Sequence, residues 1–149
     1  MRLSVQTDYA LRTLMFLAVK EGHHSIADIA SAYGISKNHL MKVAQRLTAE
    51  GFVESVRGRG GGLKLARPAA DLNVGAIVRI IEDTGAFVEC FDATTNSCVV
   101  TPACGLRHVL AGAVEAFAQH LDQITVADLV PDAESFERLL EMKAHDTLA

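Results

Sequence analysis

Three cysteines stand in one short stretch of this 149-residue chain, Cys90, Cys98 and Cys104, with gaps of seven and five residues. An odd number of cysteines in a short chain reads, in a reducing cytosol, as free or metal-bound thiols rather than as disulfides. A lone buried cysteine is usually a small hydrophobe. These three lie instead in an irregular polar stretch, Thr84 to Gly105, with Gly85, the run Thr94-Thr95-Asn96-Ser97 and Pro102. A loop of about twenty residues inside a compact domain signals function or disorder. Three thiolates from one loop can hold a soft metal or an iron–sulfur cluster. The spacing is not a CxxC zinc pattern, and the loop offers no fourth ligand. His108, one helical turn beyond Cys104, suits zinc or a 2Fe–2S cluster, or is an ordinary helix histidine. Spacing alone leaves zinc and iron–sulfur unseparated.

A second set of residues is basic. The whole chain has a net charge of −4, which taken in bulk speaks against a nucleic-acid partner. Split after Pro68, however, residues 1–68 hold ten bases and five acids (+5), and residues 69–149 hold four bases and thirteen acids (−9). Such asymmetry is a cue for nucleic-acid contact by one half. Residues 37–67 alone carry seven bases against two acids. Within them Asn38, Met41, Lys42 and Gln45 share the polar face of a predicted helix, with Ser36, Lys37 and His39 at its start. Asn and Gln can pair bidentately with adenine, and Lys with guanine. Arg57 and Arg59 sit beside three glycines on a tip narrow enough to enter a minor groove, where negative potential favours arginine. Lys37, Arg46, Lys64 and Arg67 would serve phosphates. The glycine run is no P-loop, because Gly-Lys-Ser/Thr is absent. A third pair, Asp8 and Arg12, stands at i, i+4, where a helical salt bridge is worth about 0.2–0.5 kcal/mol.

The elements that position these residues follow from periodicity. Half the chain is hydrophobic and 21% is charged, which excludes wholesale disorder. With no Trp, the core must be built from Leu, Ile, Val and Ala. Apolar spacing predicts a helix over Asp8–Lys20, a short helix after Ser25, and a third over Lys37–Glu50 with Ser36 as N-cap. The inner face of the third is Leu40, Val43, Ala44 and Leu47. Helix, glycine-bearing turn and helix make a helix-turn-helix. Alternation over Phe52–Arg57 and Leu63–Ala66, around Gly58–Gly62, adds a β-hairpin wing. Asn73 can cap a further helix. A long helix over Leu106–Ile124 repeats apolar residues at 106, 110, 113, 117, 121 and 124, close to a coiled-coil seam, and predicts a homodimer interface, the alternative being a stripe that packs on its own domain. The expected fold is mainly α with a small β-hairpin wing. It divides into a winged helix-turn-helix domain (1–68), a cysteine loop with dimerisation helix (69–131), and a tail (132–149) that forms a last amphipathic turn or two or is frayed. No stretch approaches the roughly 20 apolar residues of a membrane span, and no secretory signal is legible, so a cytoplasmic location is expected. No nucleophile–base pair is present, and an enzyme is not expected.

The segments MRLSVQTDYALRTL, GISKNHLMKVAQRLTAEGFVESVRGRGGGLKLARP and CVVTPACGLRHVLAGAV…LDQITVADLV resemble the NsrR group of nitric-oxide-sensing iron–sulfur repressors, related to IscR, over about residues 1–130. The resemblance implies a homodimer that binds a palindromic double-stranded DNA operator. It implies one cluster per subunit, 4Fe–4S ahead of 2Fe–2S, on Cys90, Cys98 and Cys104, with release from DNA on nitrosylation. It further implies that Asp8 of the partner subunit is the fourth ligand, steadied by Arg12. The IscR type uses a histidine three residues after the last cysteine. That position here is Arg107, with His108 one further on. The gap of seven between Cys90 and Cys98 is longer than the group's pattern, which leaves cluster type and geometry open. An IscR-type regulator of iron–sulfur or redox state, or a zinc- or thiol-based redox regulator on the same scaffold, are the alternatives.

Overall fold

Ser4 begins the first helix by accepting a hydrogen bond from the Thr7 amide at 3.2 Å, which satisfies one of the orphan donors of a helix start. The computed structural model describes residues 3–58, 60–82 and 87–146. Its helices are α1 (Val5–Val19), α2 (Ile26–Tyr33), α3 (Lys37–Ala49), α4 (Val74–Ile81), α5 (Gly105–Leu121) and α6 (Ala133–Asp146). Its strands are β1 (Val53–Val56) and β2 (Gly62–Leu65). The fold is mainly α with a two-stranded wing, as the periodicity predicts. The chain forms two compact units: residues 1–72 together with 125–149, and residues 73–124.

In the first unit, α2 opens on a reciprocal capping box: the Ser25 hydroxyl accepts from the Asp28 amide and the Asp28 carboxylate from the Ser25 amide. It closes on Gly34 in the left-handed region (φ 64°), which favours glycine. Ser36 is the N-cap of α3, but its side chain makes no capping bond. The predicted inner face of α3 is buried in full, with Leu40 and Leu47 at 0% exposure. Leu14 of α1 and Ile29 of α2 complete this core, and α1 packs on α3. The strands pair antiparallel, Val53 with Leu65 and Val56 with Gly62, and a bridge from His24 to Leu63 extends the wing. Gly62 is required here: its φ is 151°, and a Cβ would meet the His24 backbone at 2.6 Å.

The segment 132–149, set apart as a tail in the sequence, carries α6, which packs on α1 and α2. Leu140 is buried, and Lys20 bridges to Glu137 and Glu141 at 2.5 and 2.8 Å. Residues 125–149 bring two bases and six acids to the unit. The +5 and −9 of the linear halves therefore do not map onto the two spatial units, because acidic α6 belongs to the unit that carries the basic helix.

In the second unit, Asn73 caps α4 by accepting from the Ala76 amide at 2.9 Å, and it donates to the Asp122 carbonyl at 2.6 Å. Arg79 grips the Asp122 carboxylate through both terminal nitrogens at 2.5 Å. The carboxyl is held below its usual range by that guanidinium. These contacts fix α4 to the end of α5. None of the 17 residues of α5 is buried within the chain. Among the described residues, no helix is long and apolar enough to cross a membrane.

Candidate functional site

The outward face of α3 is built by exclusion. Once Leu40, Val43, Ala44 and Leu47 point inward, the intervening positions must face out. Ser36, Lys37, Asn38, His39, Met41, Lys42, Gln45 and Arg46 are all exposed. Arg57 is exposed at the end of β1. Arg59 lies outside the described residues. Two of the predicted phosphate contacts already have acidic partners. Arg46 bridges Glu50 at 3.1 Å, and the strand register sets Lys64 beside Glu54 at 3.0 Å. A cleft of about 470 Å³ separates α3 from the wing, lined among others by Met41, Gln45, Thr48, Ser55 and Arg57. Sequence reasoning missed Thr48 and Ser55. The signal was available for Thr48, which stands seven residues after Met41 and three after Gln45 on the same helical face. On the other side of α3, the Tyr9 and His39 rings lie 6.5 Å apart.

Asp8 and Arg12 form the predicted pair in bidentate form. Arg12 Nε donates to Asp8 Oδ1 at 3.1 Å, and Nη2 approaches Oδ2 at 3.0 Å. The guanidinium lies 5.8 Å from the Tyr33 ring centroid, and the Tyr33 hydroxyl donates to the Arg12 carbonyl at 2.9 Å. Burial pushes that hydroxyl well above the ordinary tyrosine range, so it stays a proton donor. The carboxylate is thus oriented by a guanidinium that lies over the Tyr33 ring of α2.

The three cysteines all belong to the second unit and are free thiols. Cys90 and Cys104 are half-buried, and Cys98 is exposed. The stretch that showed no period in the sequence is ordered by short 3-10 turns, Glu89–Phe91 and Thr101–Ala103, and by its own polar side chains. Glu89 Oε1 accepts from the Ser97 amide at 2.6 Å and the Ser97 hydroxyl at 2.7 Å. These bonds hold the Glu89 carboxyl below its ordinary range, the hydroxyl contributing most. Asp92 accepts from the Thr94 and Thr95 hydroxyls at 2.6 and 2.7 Å, which pull its carboxyl down to about 2. Asn96 Oδ1 accepts from the Cys98 amide at 3.1 Å. Arg107 Nε donates to the Cys90 carbonyl at 3.1 Å, a tie the sequence did not reveal. His108 is exposed beside it.

Neighbours of each cysteine are therefore bonded to one another: Glu89 to Ser97 links the stretches of Cys90 and Cys98, and Arg107 links α5, which starts after Cys104, back to Cys90. Within the single chain, no group of three or more His, Cys, Asp or Glu side chains converges to hold a metal among the described residues. The donor set nevertheless fits an iron–sulfur cluster in its chemistry. It offers three uncommitted thiols on one segment, and the Cys104 side chain is not spent on capping α5.

Residues 3–132 match the model of the Rrf2 family, described as iron-dependent transcriptional regulators. This chain belongs to the Rrf2 family. It is 50% identical over 145 residues to the HTH-type transcriptional regulator NsrR of Bacillus subtilis (strain 168), a match covering 96% of this chain and 99% of that one. Its fold is similar to that of T. potens IscR, with a TM-score of 0.69 and 31% identity, covering 91% of this chain and 90% of the other. It is also similar to CymR, the global cysteine regulator of B. subtilis, with a TM-score of 0.69 and 25% identity, covering 88% and 97%. The chain is thus a transcriptional regulator of the Rrf2 family.

Proposed function

We propose that the protein is a homodimeric, DNA-binding repressor that holds one iron–sulfur cluster per subunit on Cys90, Cys98 and Cys104 and leaves its operator when nitric oxide reacts there. The observation that carries this reading is the cysteine segment: three free thiols, one exposed and two half-buried, on a stretch cross-tied at Glu89–Ser97 and Arg107–Cys90. When bound, the cluster supplies iron with affinity for nitric oxide. Asp8 of the partner subunit is the proposed fourth ligand, and 4Fe–4S the favoured type over 2Fe–2S.

The chain's own residues supply the coupling. Arg12 orients the Asp8 carboxylate through two contacts and leaves it lone pairs for a further partner. A carboxylate is the hardest donor in a set of thiolates, so Asp8 is the ligand held least firmly. It sits on α1, which packs directly on α3. Restraining Asp8 therefore restrains the unit that presents Asn38, Lys42 and Gln45. In a dimer the separation of two such helices must match half-sites about one helical turn, or a multiple, apart. Ser36, Lys37, His39, Arg46, Arg57, Arg59 and Lys64 are the proposed remaining contacts to the duplex.

The test is an anaerobic visible spectrum of the purified protein with iron and sulfide counts, repeated during titration with nitric oxide. A coloured protein with iron and sulfide, bleached or shifted by nitric oxide, is expected. A colourless protein with stoichiometric zinc would overturn the reading in favour of a zinc- or thiol-based regulator.

A further inference from the structure

One residue on the outward face of α3 differs in kind from those around it. Met41 is 41% exposed, while Asn38, Lys42 and Gln45 beside it are polar. It is not needed for the core, which α3 fills with Leu40, Val43, Ala44 and Leu47. Its side chain instead forms a wall of the cleft between α3 and the wing, with Gln45 and Arg57 on the same cleft. A thioether on three rotatable bonds adapts to an irregular apolar partner. The surrounding bases, Lys37, Lys42, Arg46 and Arg57, complement a polyanion rather than an apolar protein surface. In the major groove each base pair presents donors and acceptors, and the apolar group on offer is the 5-methyl of thymine.

We infer that Met41 is a specificity-determining residue that reads a thymine 5-methyl group in each half-site. The inference rests on the DNA-binding reading above and deepens it. Asn38 stands three residues before Met41 and Gln45 four after it, on the same helical face. Both amides can pair bidentately with adenine, so Asn38, Met41 and Gln45 together select A·T pairs, beside the guanine that Lys42 can read.

The experiment uses the full chain, purified anaerobically. Its preferred duplex is first selected from a randomised double-stranded library. In that duplex each thymidine is then replaced in turn by deoxyuridine, which lacks only the methyl group. For the unaltered protein, one such replacement per half-site is expected to weaken binding about fourfold, the worth of one methyl group removed from water. Met41→Ala should bind the thymidine duplex more weakly by a similar factor and be indifferent to deoxyuridine at that position. Met41→Leu, which keeps an apolar side chain, should retain the dependence. Indifference of the unaltered protein to deoxyuridine at every position would overturn the inference. So would an unchanged deoxyuridine penalty in Met41→Ala. A selection that returns no preferred duplex is a different result, because it overturns the DNA-binding reading itself.

Discussion

Helices α3 and α5 carry comparable apolar stripes and meet opposite fates within the chain. In α3, thirteen residues long, four apolar side chains are buried, two of them completely. In α5, seventeen residues long, none is; Leu110, Phe117 and Leu121 of its stripe are half-buried, and Leu106 is 63% exposed. The stripe of α3 faces α1, α2 and β1 of its own unit. The stripe of α5 repeats at coiled-coil spacing, which suits a second copy of the same helix. Amphipathic periodicity thus tells which face wants cover but not which molecule covers it. The helix that would read DNA is finished inside one chain. The helix that follows the cysteines is not, and the proposed dimer completes it.

That contrast can be broken at several points. The largest effect is expected on α5. Leu106→Asp combined with Ala113→Asp puts charges at two exposed seam positions, and should turn the dimer into a monomer in sedimentation while the helical circular dichroism signal persists. A double variant that stays dimeric would remove α5 from the interface. Next, Leu47→Ala empties a fully buried site and should cost about 2–5 kcal/mol of stability, the range for such truncations, read from denaturant unfolding. A cost below about 1 kcal/mol would contradict the packing described for α3.

Smaller effects separate the polar features of the two regions. Lys37→Ala should lower the slope of log affinity against log salt by about 1, the effect of one lost phosphate contact. Lys64→Ala should change that slope less, because Lys64 already has Glu54 at 3.0 Å. The smallest effect concerns the cysteine segment. The Glu89 carboxyl is held below its ordinary value by Ser97, so the folded segment binds fewer protons than the unfolded one. Its stabilisation is fully present above the ordinary glutamate value and is lost as pH falls through the lower folded value. Hydrogen exchange at the Ser97 amide should show protection lost on acidification in that window and not at neutral pH.

Much of this architecture was legible from residue types and spacing. The inner face of α3, the cap at Asn73, the wing and the Asp8–Arg12 pair all depend on neighbours within a few positions or on a regular period. What was not legible depends on distant partners. The sequence around Phe136, Leu139 and Leu140 shows an amphipathic turn but not that Lys20, more than a hundred residues earlier, waits for Glu137 and Glu141. The order in the cysteine stretch was hidden for a different reason. Its 3-10 turns and the bonds of Glu89, Asp92 and Asn96 are made by polar side chains to nearby backbone and hydroxyl groups, and these leave no hydrophobic period. The tie from Arg107 to the Cys90 carbonyl spans seventeen positions and follows no spacing rule. The same limit applies to charge: the linear halves differ in sign, but α6 returns acidic residues to the unit that bears the basic helix.

The proposed coupling lets thiols in one unit govern DNA affinity in the other. It is tested most directly by anaerobic fluorescence anisotropy of the protein on its selected duplex during stepwise addition of nitric oxide, with Asp8→Ala measured alongside. Affinity is expected to fall as nitric oxide is added, and Asp8→Ala is expected to start weaker and respond less. Unchanged affinity across the titration, or an Asp8→Ala protein that binds and responds like the unaltered chain, would contradict it.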